Sequence, residues 1–274
     1  MKRRPFFMPF VAIAAVSFLS QYTVISAESL AYQSTGSVGF VPSNEGTKPF
    51  NPNEPTPEEP VNPIGPDGEQ ANPGTAGPLS LDFASSFFFG NRKITNQDVV
   101  YKANAQALAN QDGTITSYVP NYIQVTDNRG NNAGWTLNVS QTGQLRSTKA
   151  TTNGELKGAM ITLKEPVSVG LTNSMAPKAH EVTLDPNGAK SIVMSAEAGT
   201  GSGTWITRWG SQGDLMDEEQ SVLDKQSNSK LLEKENVTVS PAVTLSIPGK
   251  TPRDAVRYTT TLNWILTNIP ITVK

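Results

Sequence analysis

Val256-Arg257-Tyr258-Thr259-Thr260-Thr261-Leu262-Asn263-Trp264-Ile265-Leu266-Thr267 has a repeat of two. Val256, Tyr258, Thr260, Leu262, Trp264 and Leu266 fall on one side of an extended chain, and Arg257, Thr259, Thr261, Asn263, Ile265 and Thr267 on the other, because successive strand side chains point to opposite faces. This alternation predicts a half-buried antiparallel strand. The same period runs through 79–89, where Leu79, Leu81, Phe83, Phe87 and Phe89 are in phase, and through 237–247, where Pro241 predicts an edge or a bulge. Weaker strand signals lie at 118–125, 134–139, 156–163, 167–171, 180–184 and 190–194. Asp185-Pro186-Asn187-Gly188 reads as the hairpin turn between the last two. Helix-like spacing occurs over 214–235, in Leu215, Val222, Leu223, Leu231 and Leu232, while 99–110 suits either state. Many short strands joined by polar turns predict an all-β fold: a single elaborated β-sandwich, Ig-like or related, of about ten strands with one candidate short helix.

The chain outside these strands has a different composition. Ten of its 20 prolines lie between Pro42 and Pro78. Asn51-Pro52-Asn53-Glu54-Pro55-Thr56-Pro57-Glu58-Glu59-Pro60 has too little apolar surface to offset the entropy of ordering, so residues 28–78 read as a disordered linker. Ahead of it, Lys2, Arg3 and Arg4 precede an apolar run from Phe6 to Leu19 and a small residue, Ala27. That run is shorter than the roughly 20 residues a spanning helix needs, and the pattern is that of a secretory signal peptide over 1–27. The predicted organisation is therefore signal peptide, linker, and a β domain over 79–274, with no transmembrane anchor of its own.

Composition narrows the chemistry. With no cysteine, disulfides, thiol nucleophiles and structural zinc sites are excluded, and one histidine cannot build a multi-histidine metal centre. From residue 28 onward there are 19 basic and 24 acidic residues and no basic stripe along the sequence, which argues against nucleic acid as a partner. No nucleophile elbow, zinc-protease helix, phosphate loop or dinucleotide fingerprint occurs. His180 is in phase with Val182 and Leu184 and reads as a strand residue rather than a catalytic base. Asp127-Asn128-Arg129-Gly130-Asn131-Asn132 is oxygen-rich, but Arg129 stands where a calcium loop needs an acid. The expectation is a non-enzymatic protein with no cofactor and no metal. A cysteine-free exported chain fits the exterior of a Gram-positive bacterium.

Two tryptophan segments carry more. Gly134-Trp135-Thr136-Leu137-Asn138-Val139 and Leu262-Asn263-Trp264-Ile265-Leu266, with Tyr258 before the second and Pro270 after it, resemble the paired motifs of the WxL domain of Gram-positive surface proteins. Val125-Thr126-Asp127-Asn128-Arg129-Gly130 is similar to the family's approach to its first motif. The resemblance covers residues 79–274. Ile265 departs from the threonine usual in the second motif and suggests a more apolar outer face. The resemblance implies a cell-surface module held non-covalently on the wall, with peptidoglycan or another wall polymer as ligand. It also implies assembly with other surface proteins, including a membrane-anchored partner. No sorting motif follows Pro270, in keeping with non-covalent attachment.

The signature residues Trp135, Leu137, Tyr258, Trp264, Leu266 and Pro270 read first as core, because each tryptophan shares a strand face with aliphatic neighbours. Trp205, Arg208 and Trp209 lie in Gly199-Thr200-Gly201-Ser202-Gly203-Thr204-Trp205-Ile206-Thr207-Arg208-Trp209-Gly210. Two readings stay open there: an exposed loop whose indoles stack on sugar rings while Arg208 pairs with a carboxylate or phosphate, or a turn entering a strand whose tryptophans cap the sandwich. Asp127 and Arg129 complete the candidate contact set. The rival from another class is a structural subunit that binds chiefly a partner protein.

Overall fold

The computed structural model describes residues 31–110, 112–223 and 232–270. The signal-like segment 1–27 and the tail after Pro270 lie outside them. The chain divides into two units, Met1–Gly39 and Phe40–Lys274. In the first, residues 31–39 are exposed and carry no regular secondary structure.

The second unit is built from short antiparallel strands. β2 (Leu79–Ala84), β6 (Tyr122–Asp127), β10 (Pro166–Gly170) and β14 (Gly203–Trp209) form one sheet in the order β10-β14-β6-β2. β7 (Trp135–Gln141), β11 (Lys178–Ala179), β13 (Ser191–Ala196) and β18 (Leu262–Thr267) form a second, ordered β11-β13-β7-β18. A third is ordered β12-β9-β16-β15, from β9 (Met160–Leu163), β12 (Val182–Thr183), β15 (Met216–Leu223) and the long β16 (Leu232–Ile247), which also pairs with β3 (Val99–Asn104). A fourth, small sheet joins β1 (Asn62–Ile64), β4 (Gln106–Ala109) and β5 (Ile115–Val119), and β8 (Arg146–Ser147) pairs with β17 (Tyr258–Thr259).

The single sandwich predicted from the strand count is therefore not what forms. The chain is all-β, but its small sheets make a four-bladed, propeller-like ring rather than two facing layers. β6 shows why. Its six residues are all buried. Ile123 and Val125 enter the main core with Trp135, Leu137, Leu163 and Val243, whereas Tyr122 joins Phe50, Phe83, Leu108, Val119 and Ile206 in a second core on the opposite face. A sandwich strand has one wet face; here both faces of the first sheet are covered.

The cover on the second face comes from the proline-rich segment. Residues placed in a disordered linker from composition are built into the fold: Phe50 is buried in the second core, β1 pairs with β4, and Val61 and Ala71 pack alongside. Gln124 pins the segment, accepting from Phe50 N at 2.9 Å and donating to Lys48 O at 2.9 Å. Two large apolar residues, Phe50 and Ile64, supply anchors that the average composition of 28–78 hid.

Local expectations change likewise. Of the candidate helix over 214–235, residues 224–231 lie outside the described residues, and the parts on either side fall in antiparallel strands, β15 and β16, with register pairs from Met216↔Val239 to Leu223↔Leu232. Among the described residues only Gln212–Asp214 is helical, a single 3₁₀ turn. The Asp185–Gly188 turn forms, with Gly188 N donating to Asp185 O at 3.0 Å. It sits at the end of a wide hairpin rather than a tight one: β11 before it pairs antiparallel with β13 after it, Ala179↔Met194, while β12, next to the turn, leaves to pair with β9. Pro241 falls in the irregular stretch between Ser240 and Thr244, where β16 shifts register against β3, as a residue with no N–H requires.

Candidate functional site

β7 and β18 lie side by side. Their register pairs Leu137 with Leu266 and Val139 with Trp264, so the two Trp-x-Leu triplets, far apart in sequence, sit on neighbouring antiparallel strands. Trp135 and Leu137 are fully buried; Trp264 and Leu266, on the outer strand of the sheet, are half-buried against the same core. The middle residues Thr136 and Ile265 therefore alternate to the outer face.

Trp135 is locked by the glycine-rich loop. Its Nε1 donates to Gly201 O at 3.0 Å. Gly201 has φ +71°, and a Cβ there would stand 2.5 Å from Ala196 Cβ and 2.9 Å from the Trp135 indole nitrogen. Only glycine allows this approach. Before the tryptophan, Arg129 grips Asp127 in a two-point ion pair, Nε to Oδ1 at 2.8 Å and Nη2 to Oδ2 at 2.7 Å, and also donates to Gly134 O at 2.7 Å. Asp127 is almost fully buried, and its hydrogen bond and charge raise the Arg129 guanidinium above its ordinary value. Asp127 and Arg129 thus clamp the entry to the first motif and are spent on each other.

The exposed-loop reading of Trp205 and Trp209 is overturned. Both lie in β14 and are buried, Trp209 completely. Trp205 Nε1 donates to Ser202 O at 3.1 Å, and Gly170 makes room for its ring: a Cβ at Gly170 would come within 2.6 Å of it. Trp209 stacks edge-on with Phe87 at 5.8 Å and lies 6.2 Å from the Trp264 ring, joining the second motif to the core. Its Nε1 has no partner among the described residues. Arg208, half-buried, donates to Gly210 O. Tyr258 is also structural, donating from its hydroxyl to Asn153 O at 2.6 Å and accepting from Asp254 N at 2.9 Å. Pro270 is half-buried at the end of the described chain.

What remains accessible around the motifs is the outer face of their sheet. One row across the strands, Ile192, Asn138 and Ile265, is exposed or half-buried; in the next, Ser195 and Thr136 are buried and Thr267 is half-buried. Thr136 Oγ1 donates to Ile269 O at 2.8 Å, and His180 Nε2 lies 3.0 Å from Ser195 Oγ. Burial, with Lys178 nearby, lowers the His180 pKa and favours neutral imidazole. The accessible centre of the face is the uncharged row Ile192, Asn138 and Ile265, an amide between two apolar side chains.

Sequence reasoning missed a buried carboxylate. Asp82, 3% exposed, accepts from Ser80 Oγ at 2.6 Å, Thr126 Oγ1 at 2.6 Å and Gln124 Nε2 at 3.0 Å. Desolvation raises its pKa against these bonds. It borders a cleft of about 240 Å³ beneath the proline-rich segment, beside Thr47, Lys48, Asn62 and Phe83. In the alternation of 79–89 it occupied the face that reads as solvent, and nothing local signals the cover. Among the described residues no cluster of acids and histidine could hold a metal ion, and no helix is long and apolar enough to cross a membrane.

The model of one protein family, described as a surface, cell wall-binding WxL domain, matches residues 27–270 and so spans both triplets. The chain belongs to the WxL family. No curated protein and no solved structure matches it. As a WxL protein it is a cell wall-binding surface protein. The match extends well before residue 79 and takes in the proline-rich segment packed on the second core. The signature tryptophans of this WxL domain act by assembling the sheet; the outer face of that sheet is the surface they position.

Proposed function

We propose that this WxL protein is exported and attaches non-covalently to peptidoglycan, without catalysing a reaction, through the outer face of the β11-β13-β7-β18 sheet. The family match over both triplets carries this reading. The face suits a glycan: Asn138 and Thr267 offer an amide and a hydroxyl to sugar hydroxyls, and Ile192 and Ile265 offer apolar contact to ring faces. The amino-terminal pattern of basic start, short apolar run and Ala27 supports export.

The test is co-sedimentation of residues 28–274 with purified walls stripped of protein. Direct pelleting, weakened by Asn138→Arg or Ile265→Asp with unchanged melting, is the expected result. A folded chain that stays in the supernatant and pellets only when a second surface protein is present supports the rival reading, a structural subunit reaching the wall through a protein partner. Release of sugar fragments would overturn the non-catalytic assignment.

A further inference from the structure

Residues 143–157 and 248–258, about a hundred positions apart, are zipped into one platform. Tyr258 pairs with Ser147 and Thr259 with Arg146; Thr148 N donates to Arg257 O at 2.9 Å; Thr251 Oγ1 donates to Lys157 O at 2.6 Å. Asp254 clamps the opposite loop, accepting from Thr151 Oγ1, Asn153 N at 2.8 Å and Asn153 Nδ2 at 2.8 Å. The two segments together hold six basic residues, Arg146, Lys149, Lys157, Lys250, Arg253 and Arg257, against two acids, Glu155 and Asp254. The remainder of the chain from residue 28 holds 13 basic and 22 acidic residues. An otherwise acidic protein thus carries a local excess of positive charge here.

That charge is largely unspent. Among the described residues, Arg146 is the one platform cation that forms an ion pair, with Glu155 at 3.3 Å. Among the described residues Lys149, Lys157, Lys250 and Arg257 have no carboxylate within ion-pair range, and all four are exposed. Asp254 is taken up by the loop clamp, and the neighbouring Asp98 accepts from Gly249 N at 2.6 Å. Arg253 is turned inward, donating to Pro248 O at 3.0 Å, and Arg257 lies over the Phe88 ring at 5.7 Å. Bringing like charges together on a backbone fixed by hydrogen bonds costs repulsion, which a polyanion relieves.

We propose that this platform binds a phosphodiester-bearing polymer of the cell wall, an inference that rests on the wall-binding reading and adds a second ligand class to it. The cations are spread along two loops rather than converging on a pocket, which fits a chain of repeated single negative charges. None of the exposed large apolar side chains belongs to either loop, so the platform lacks what would insert into a lipid surface. Nor does it expose an aromatic ring for nucleic-acid bases to stack on.

The experiment is binding of residues 28–274 to poly(glycerol phosphate), with titration of salt, beside the triple variant Lys149→Gln, Lys157→Gln, Lys250→Gln and its charge-keeping counterpart with arginine at all three positions. Binding that weakens steeply with salt, falls by about tenfold or more in the glutamine variant and persists in the arginine variant is expected. Equal binding by the wild type and a folded glutamine variant overturns the proposal, as does binding to phosphatidylglycerol vesicles at equal strength. Walls treated with hydrofluoric acid to remove phosphodiester polymers separate the two readings. If the chain pellets as firmly with treated as with untreated walls, peptidoglycan attachment stands and the platform proposal falls; if it pellets with neither, both fall.

Discussion

Trp135 and Trp209 are both fully buried, and one hydrogen bond separates them. Trp135 donates to Gly201 O, whereas the Trp209 N–H has no partner among the described residues. Replacing Trp135 with Phe removes similar volume but strands a buried carbonyl; replacing Trp209 with Phe discards a donor that was already unpaired. Trp135→Phe is expected to cost about 1–2 kcal/mol more than Trp209→Phe, read from urea unfolding midpoints at unchanged slope. Alanine at either position should cost about 3–5 kcal/mol, so loss of wall binding in such a variant reports folding before contact. Asp82 gives a test in pH. Its folded pKa is raised, so at neutral pH its charge is held at a penalty that disappears as pH falls through the folded value and below the unfolded 3.8. Asp82→Asn removes the titration, so the melting difference, variant minus wild type, should shrink as pH is lowered from 7 toward 3.5. A difference that grows on acidification would contradict the raised value. Strand phase made the inward direction of Trp135 and Leu137 legible. It left Asp82 on the solvent side, because phase names a face and not what covers it.

Alternation identifies a strand but not its sheet, and the elements show the consequence. The runs at 79–89, 237–247 and 256–267 contain strands, yet their distribution over several small sheets depends on pairings such as β16 with β3, β9 and β15 together, which no local window contains. The 214–235 segment suits a helix in sequence because Leu215, Val222, Leu223, Leu231 and Leu232 recur at about two helical turns, whereas the register of its described residues is that of paired antiparallel strands. The proline-rich segment is the clearest case: its glutamates are exposed, while buried Pro52 and Pro63 and a few apolar anchors fix it. Phe50→Ala, which empties the second core beside Phe83 and Tyr122, should cost about 3–5 kcal/mol. Differential scanning calorimetry of residues 28–274 with and without the substitution measures it. A change below about 1 kcal/mol would show that the segment rides on the fold without holding it.

At the scale of the molecule, charge separation is the property that one-dimensional reading missed most completely. A chain with no basic stripe in sequence acquires a basic platform because β8 and β17 bring residues 146–147 beside 258–259. Asp254 helps hold that platform, and its carboxyl is pulled below the ordinary range by hydrogen bonds from Thr151 and Asn153. A depressed pKa contributes stability above the unfolded value of 3.8 that is lost as pH falls through the folded one. Amide exchange at 151–154 should therefore stay slow down to about pH 4 and quicken below it, relative to the intrinsic rate at each pH; exchange equally slow at pH 2.5 would count against the clamp. The adjacency of β7 and β18 has a further consequence, in time rather than in space. Synthesis runs from the amino end, so one edge of β7 waits for a partner that is more than a hundred residues behind it in the chain. Until residue 267 has emerged, β7 lacks its β18 neighbour and the sheet that carries Trp135 stays incomplete, so pairing across this long separation delays the finished fold.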